Sequence, residues 1–123
     1  MTENEISYKI RGAIFAVYNN VGPGLLESAY EECLCYELRQ NNLEFERQVA
    51  LPVIYKNVKL DCGYRMDVVV ENLVIVEIKA VENMLPVHEA QILSYLKLNN
   101  KPLGLLLNFH VSVLKNGIKR IRN

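Results

Sequence analysis

Residues 63–79, Gly-Tyr-Arg-Met-Asp-Val-Val-Val-Glu-Asn-Leu-Val-Ile-Val-Glu-Ile-Lys, constrain the fold more than any other stretch. Two β-branched runs flank Glu71-Asn72, a pattern that reads as two strands joined by a short turn. Strand side chains repeat with period two, so Glu77 and Lys79 share one face while Val76 and Ile78 share the other. Buried strands are mostly unbroken Val, Ile and Leu, and a charged side chain on one needs a partner, a metal ion or solvent. An edge strand with one solvated face and an ordinary Glu77–Lys79 pair meets that need. A divalent cation meets it too, because Asp67 on the preceding strand offers a second carboxylate. Mg²⁺ is typically held by one or two carboxylates and keeps several waters. Asp67, Glu77 and the backbone carbonyl of Ile78 could supply such a site, with Lys79 orienting or deprotonating a bound water.

Register separates the two accounts. With a plain two-residue turn at Glu71-Asn72, Val70 pairs with Leu73 and Asp67 faces Val76. Glu77 then points away from Asp67, since a one-residue slip flips every side chain. The cation site therefore requires an odd-length loop or a bulge between Asp67 and Glu77.

The chain has 123 residues, which makes one domain over 1–123 the economical expectation. Fourteen basic residues balance 14 acidic ones, so nucleic-acid binding would have to come from a local patch rather than a global field. No run approaches the ~20 apolar residues of a membrane span. The acidic start Met1-Thr2-Glu3-Asn4-Glu5 lacks the features of a secretory signal, so the expected location is the cytoplasm, with no membrane partner. Cys33, Cys35 and Cys62 are an odd set that argues against a disulfide framework. On a helix Cys33 and Cys35 would diverge by roughly 160°, so all three read as small core or surface residues.

Thr2 with Glu5 fits a capping box, and Ile6, Ile10, Ala13, Ile14, Val17 and Val21 recur at helical spacing. Gly22-Pro23-Gly24 stops that helix. A second helix runs from Leu25 or Leu26 to about Gln40, with Ala29 or Tyr30, Cys33, Leu34 and Leu38 inward. Glu27 in its first turn suits the helix dipole, yet the tight turn before it could also aim its carboxylate at a site formed elsewhere. Phe45 to Tyr55 alternates imperfectly, and Lys56-Asn57 turns it into Val58-Lys59-Leu60, a hairpin whose Pro52 belongs at an edge or bulge. Pro86 opens a third helix with Ile92, Leu93 and Leu96 buried; His88, Gln91 and Tyr95 share a neighbouring stripe. Leu103 to Asn108 reads as a central strand covered on both faces, where Gly104 permits close packing. Val111–Leu114 and Ile118–Ile121 read as a terminal hairpin or ragged strand pair around Lys115-Asn116-Gly117. Lys115, Lys119, Arg120 and Arg122 make this end either a solvated tail or a phosphate-contacting edge.

Helices, strands, a helix and strands, with Asp67 followed by Glu77-x-Lys79, resemble the PD-(D/E)XK nuclease superfamily. More closely, Gly24-Leu25-Leu26-Glu27-Ser28-Ala29-Tyr30 resembles the signature of the GxxExxY proteins placed in that superfamily. Gly22-Pro23-Gly24, Arg47-Gln48, Gly63-Tyr64-Arg65-Met66-Asp67, His88-Glu89-Ala90-Gln91, Tyr95-Leu96-Lys97, Asn108-Phe109 and Gly117-Ile118-Lys119-Arg120 extend the likeness over nearly the whole chain. It departs from the superfamily's name at Met66, which stands where Pro precedes the Asp. The resemblance implies an α/β, restriction-endonuclease-like core, a mixed central sheet flanked by helices in the order α-α-β-β-β-β-α-β-β. It also implies phosphodiester hydrolysis of DNA with Mg²⁺ or Mn²⁺. Asp67 and Glu77 correspond to metal ligands, Lys79 to the residue that positions the attacking water, and Glu27 to a helix-borne acid assisting metal or water. Gln91 and Tyr95 match a Gln-x-x-x-Tyr element that orients the scissile strand or the lysine. A catalytically silent module that keeps the fold and binds nucleic acid or a protein is the alternative, since fold does not dictate function. A homodimer, or a subunit that cuts only with a partner, is also compatible with so short a chain.

Overall fold

Thr2 and Glu5 start the first helix, α1 (Glu3–Val21), through a reciprocal capping box. The computed structural model spans Met1–Asn123. Ile6, Ile10, Ala13, Ile14 and Val17 are buried along one stripe, while Val21 is exposed at the helix end. Gly22 at φ 64° terminates α1, a backbone that a side chain would oppose. The second helix, α2 (Glu27–Gln40), starts slightly later than the sequence suggests and buries Tyr30, Leu34, Cys35 and Leu38. Cys35, rather than Cys33, is the fully buried thiol, and Cys62 is exposed.

The strands are β1 (Phe45–Ala50), β2 (Val53–Tyr55), β3 (Val58–Leu60), β4 (Arg65–Val70), β5 (Val74–Lys79), β6 (Leu103–Asn108) and β7 (Ile118–Arg122), with α3 (Pro86–Leu98) between β5 and β6. This is one strand more than the expected order. Pro52 has no N–H to donate, and the run read as one strand divides around it into β1 and β2. The sheet runs β1-β4-β5-β6-β7, while β2 and β3 form a separate hairpin. β5 pairs parallel with β6 and the other neighbours pair antiparallel, so the sheet is mixed. Its architecture is the α/β, restriction-endonuclease-like one, a five-stranded mixed sheet flanked by three helices.

Val74, Val76 and Ile78 pack with the α1 and α2 stripes in the larger core, and Ile75 packs with Tyr95 and Leu96 of α3 on the other face. β6 is buried at every position, as its apolar run requires. A Cβ on Gly104 would lie 2.8 Å from the Ile92 side chain, so α3 sits directly on this strand. β7 pairs with β6 rather than with residues 111–114, and a single 3-10 turn at Leu114–Gly117 precedes it. The expected terminal hairpin is absent because Gly117 packs against the Asn108 carbonyl and feeds β7 onto the sheet edge. On that edge Lys119 pairs with Glu89 and Arg122 lies 3.6 Å from Glu3, so two of the four clustered cations already meet carboxylates. No helix is long and apolar enough to cross a membrane.

Two strands change phase together. In β1, Phe45 packs toward α1 and α2 and Arg47 bonds Glu31 of α2, whereas Val49 joins the α3-side cluster. In β4, Met66 belongs to the α3-side cluster and Val68 to the α1/α2 core. Period-two alternation would put Arg47 with Val49, and Met66 with Val68, on common faces. The flips occur at Gln48 and Asp67, which stand opposite each other and are skipped in an otherwise continuous pairing. Gln48 takes a left-handed backbone, φ 48°.

The two close glycine contacts differ in what must yield. A Cβ on Gly117 would lie 2.1 Å from the Asn108 carbonyl oxygen, whereas that on Gly104 meets a side chain able to shift. In urea unfolding, Gly117→Ala should destabilise by about 3 kcal/mol and Gly104→Ala by about 1 kcal/mol.

Candidate active site

The β4–β5 turn decides the site. Val70 pairs with Val74, so Glu71, Asn72 and Leu73 form a three-residue loop in which Glu71 and Asn72 take left-handed backbones. This is the odd-length loop that the cation reading required. The ladder ends at Val68 opposite Val76, which leaves Asp67 beside Glu77 where the strands part. The two carboxylates occupy the opening. The Asp67 N–H donates to Glu77 Oε2 at 2.7 Å, and the Ile78 N–H donates to Asp67 Oδ2 at 2.8 Å. Each side chain thus satisfies a backbone donor that has lost its ladder partner.

Glu77 is 3% exposed, and Asp67 is half-buried beside it. Burial, together with the Asp67 charge, pushes the Glu77 carboxyl up to about 8. Burial also raises Asp67, against the opposing hydrogen bond from Ile78. The Lys79 ammonium offsets part of the effect on both. Two crowded, desolvated carboxylates next to one amine favour a proton or a cation between them.

Glu27 arrives from the start of α2. The Tyr30 hydroxyl donates to the Gly22 carbonyl at 2.6 Å and accepts from the Leu25 N–H, closing the Gly22-Pro23-Gly24 turn. The Tyr30 ring stacks on Phe109 at 4.2 Å, and the Phe109 N–H donates to the Lys79 carbonyl. Glu27 Oε2 accepts from the Ala80 N–H at 3.1 Å. Helix α2 has no side-chain cap, so this carboxylate reaches across to the end of β5. Asn108 is buried and holds the Val81 backbone through both its N–H and its carbonyl, which anchors the chain just beyond Lys79.

Glu27, Ser28, Glu31, Gln48, Asp67 and Ile78 line one open cavity. Glu27 and Asp67 share that cavity, but no three acidic, histidine or cysteine side chains converge into a ready-made cage. Tyr95 is 5% exposed, and its hydroxyl is pushed up to about 12 by burial, with the nearby Glu77 carboxylate adding to the effect. Gln91 lines a neighbouring groove with Tyr95 and Tyr64, whose rings meet edge-on at 5.9 Å. His88, from the same stripe, instead accepts the Leu85 N–H at the start of α3.

Three residues were given no role on sequence. Glu31 is buried one turn after Glu27, held by Arg47 at 2.8 Å and by Gln48 at 2.7 Å. Gln48 also reaches Asp67 Oδ1 at 3.4 Å. Two signals in the sequence bear on them: Glu27 and Glu31 lie four apart on a helix and share a face, and Arg47-Gln48 is among the motifs of the family likeness.

Residues 4–121 match the PD-(D/E)XK nuclease superfamily. The chain belongs to that superfamily. No curated protein and no solved structure matches it. PD-(D/E)XK nucleases generally use Mg²⁺ or Mn²⁺. The donor set here fits such an ion: two adjacent carboxylates, both raised first by burial and Glu77 further by the Asp67 charge, are hard oxygen ligands whose charge a divalent cation offsets.

Without metal, Glu77 titrates near 8 in the folded chain and near its ordinary 4.5 when unfolded. The folded state therefore holds the extra proton between those values, and its stability falls as pH rises from about 4.5 through about 8. Thermal melts in EDTA across that window should show this decline, and Glu77→Gln should flatten it.

Proposed function

We propose that this chain is a metal-dependent phosphodiesterase of the GxxExxY kind that hydrolyses DNA. The observation that carries the reading is the Asp67–Glu77 pair, opposed across parted strands and with both carboxyls raised. In this reading Asp67, Glu77 and the Ile78 carbonyl hold Mg²⁺ or Mn²⁺, with Glu27 assisting from α2. When bound, such an ion lowers the pKa of its water and neutralises charge on the phosphate. Lys79, one residue past Ile78 on β5, positions the attacking water and moves its proton. Its place is supported by the bond from the Phe109 N–H to the Lys79 carbonyl. Tyr95 lies close enough to Glu77 to share its field, which supports a role with Gln91 in orienting the scissile strand or Lys79.

End-labelled single-stranded, duplex and branched DNA should be cut in Mg²⁺ or Mn²⁺ and spared in EDTA. Glu77→Ala and Lys79→Ala should each lower the rate at least about 100-fold, the lower range for loss of a proton-transferring group. Cleavage that persists undiminished in both variants would overturn the assignment. Equal binding with and without EDTA, and no cutting, would favour the silent binding module instead.

A further inference from the structure

Gln48 is the residue at which the edge of the sheet departs from regular geometry. It takes φ 48° within β1, a conformation that a residue with a long side chain adopts only when its surroundings impose it. Arg47 stays paired with Val68 and Val49 with Met66, so the distortion is confined to the position opposite Asp67. Its effect is to swing the side chain onto the α2 face. There the amide Nε2 donates to Glu31 Oε1 at 2.7 Å and lies 3.4 Å from Asp67 Oδ1.

We infer that Gln48 is a positioning residue for Asp67: its amide bridges Glu31 and Asp67, fixing the Asp67 carboxylate for a divalent cation while keeping Glu31 in its ion pair with Arg47. This rests on the metal-dependent reading above. An amide suits the task because it donates two N–H groups without carrying charge. A lysine or arginine here would neutralise the carboxylates and compete with the cation. An apolar side chain would leave Glu31 and Asp67 facing each other without a donor between them. Arg47 contributes from the other side, with Nε and Nη2 on Glu31 Oε2 at 3.0 and 2.8 Å, so Glu31 is held at both oxygens. Groups behind a metal ligand typically set affinity by orienting that ligand.

Two variants separate the amide from the backbone strain. Gln48→Met keeps the length and removes the donors, while Gln48→Gly removes the side chain and accepts φ 48° without strain. Titration calorimetry with Mn²⁺ on the full chain, and melting midpoints in EDTA, provide the readouts. Both variants should bind Mn²⁺ about 10–100-fold more weakly than wild type. In Gln48→Gly the relief of backbone strain offsets the lost bond to Glu31, so its midpoint should stay within a few degrees of wild type. A structural strut would instead lower the midpoint and leave Mn²⁺ affinity unchanged. Unchanged Mn²⁺ affinity in either variant, or a Gln48→Gly midpoint several degrees below wild type, would overturn the inference. Should wild type itself show no Mn²⁺ binding that Glu77→Ala abolishes, the metal-dependent reading fails and takes this inference with it. Wild-type binding with unaltered variants removes the inference alone.

Discussion

The exchange of two hydrogen bonds between Asp67 and the Glu77–Ile78 segment is the constraint on which the site depends. Backbone donors in a buried sheet need partners, and a ladder that simply ended at Val68 and Val76 would leave two without any. The carboxylates fill that role, which fixes both side chains without a cation. They remain crowded and poorly solvated, so the arrangement that completes the sheet also creates a demand for positive charge. Completing the sheet thus carries an electrostatic cost, because two carboxylates are held where solvent is scarce.

Much of the chain can be understood as holding that opening in place. Helix α2 is tied to the end of β5 through Glu27 and Ala80, and again through the stack of Tyr30 on Phe109. Asn108 secures the Val81 backbone from the parallel neighbour strand. Gly104 lets α3 approach the sheet closely, and Tyr95 reaches the Glu77 side of the site from the same helix. Elements from both faces thus meet at the end of β5, where a strand side chain can point to either layer. On the α2 face, Arg47 and Gln48 hold a third buried carboxylate, Glu31, whose charge adds to the upward push on Asp67.

Helical spacing and capping chemistry made α1 and α3 legible, because those signals are local: Thr2 and Glu5 close a box, and Pro86 opens a first turn. The continuous apolar run of β6 likewise announced a strand covered on both faces. The terminal hairpin was misread because local alternation in residues 111–121 does not reveal that β6 offers β7 a longer partner. The phase reversal at Gln48 and Asp67 is hidden for a related reason. Period-two reasoning assumes a regular strand, and nothing in the neighbouring residue types signals that both strands reverse phase at these positions.

By itself, the sequence determined the elements, the apolar stripes they bury and the set of acids and amine available for chemistry, since these follow from residue type and short-range spacing. It could also state the condition under which Asp67 and Glu77 would meet: an odd-length loop. Only the tertiary structure decided that the loop has three residues, that the strands part beyond Val68, and that Glu31 and Gln48 reach across from α2 and β1. Those outcomes depend on contacts between residues 10 to 19 apart, where the balance of backbone hydrogen bonding, burial and strain is set by the whole packed core rather than by any one stretch.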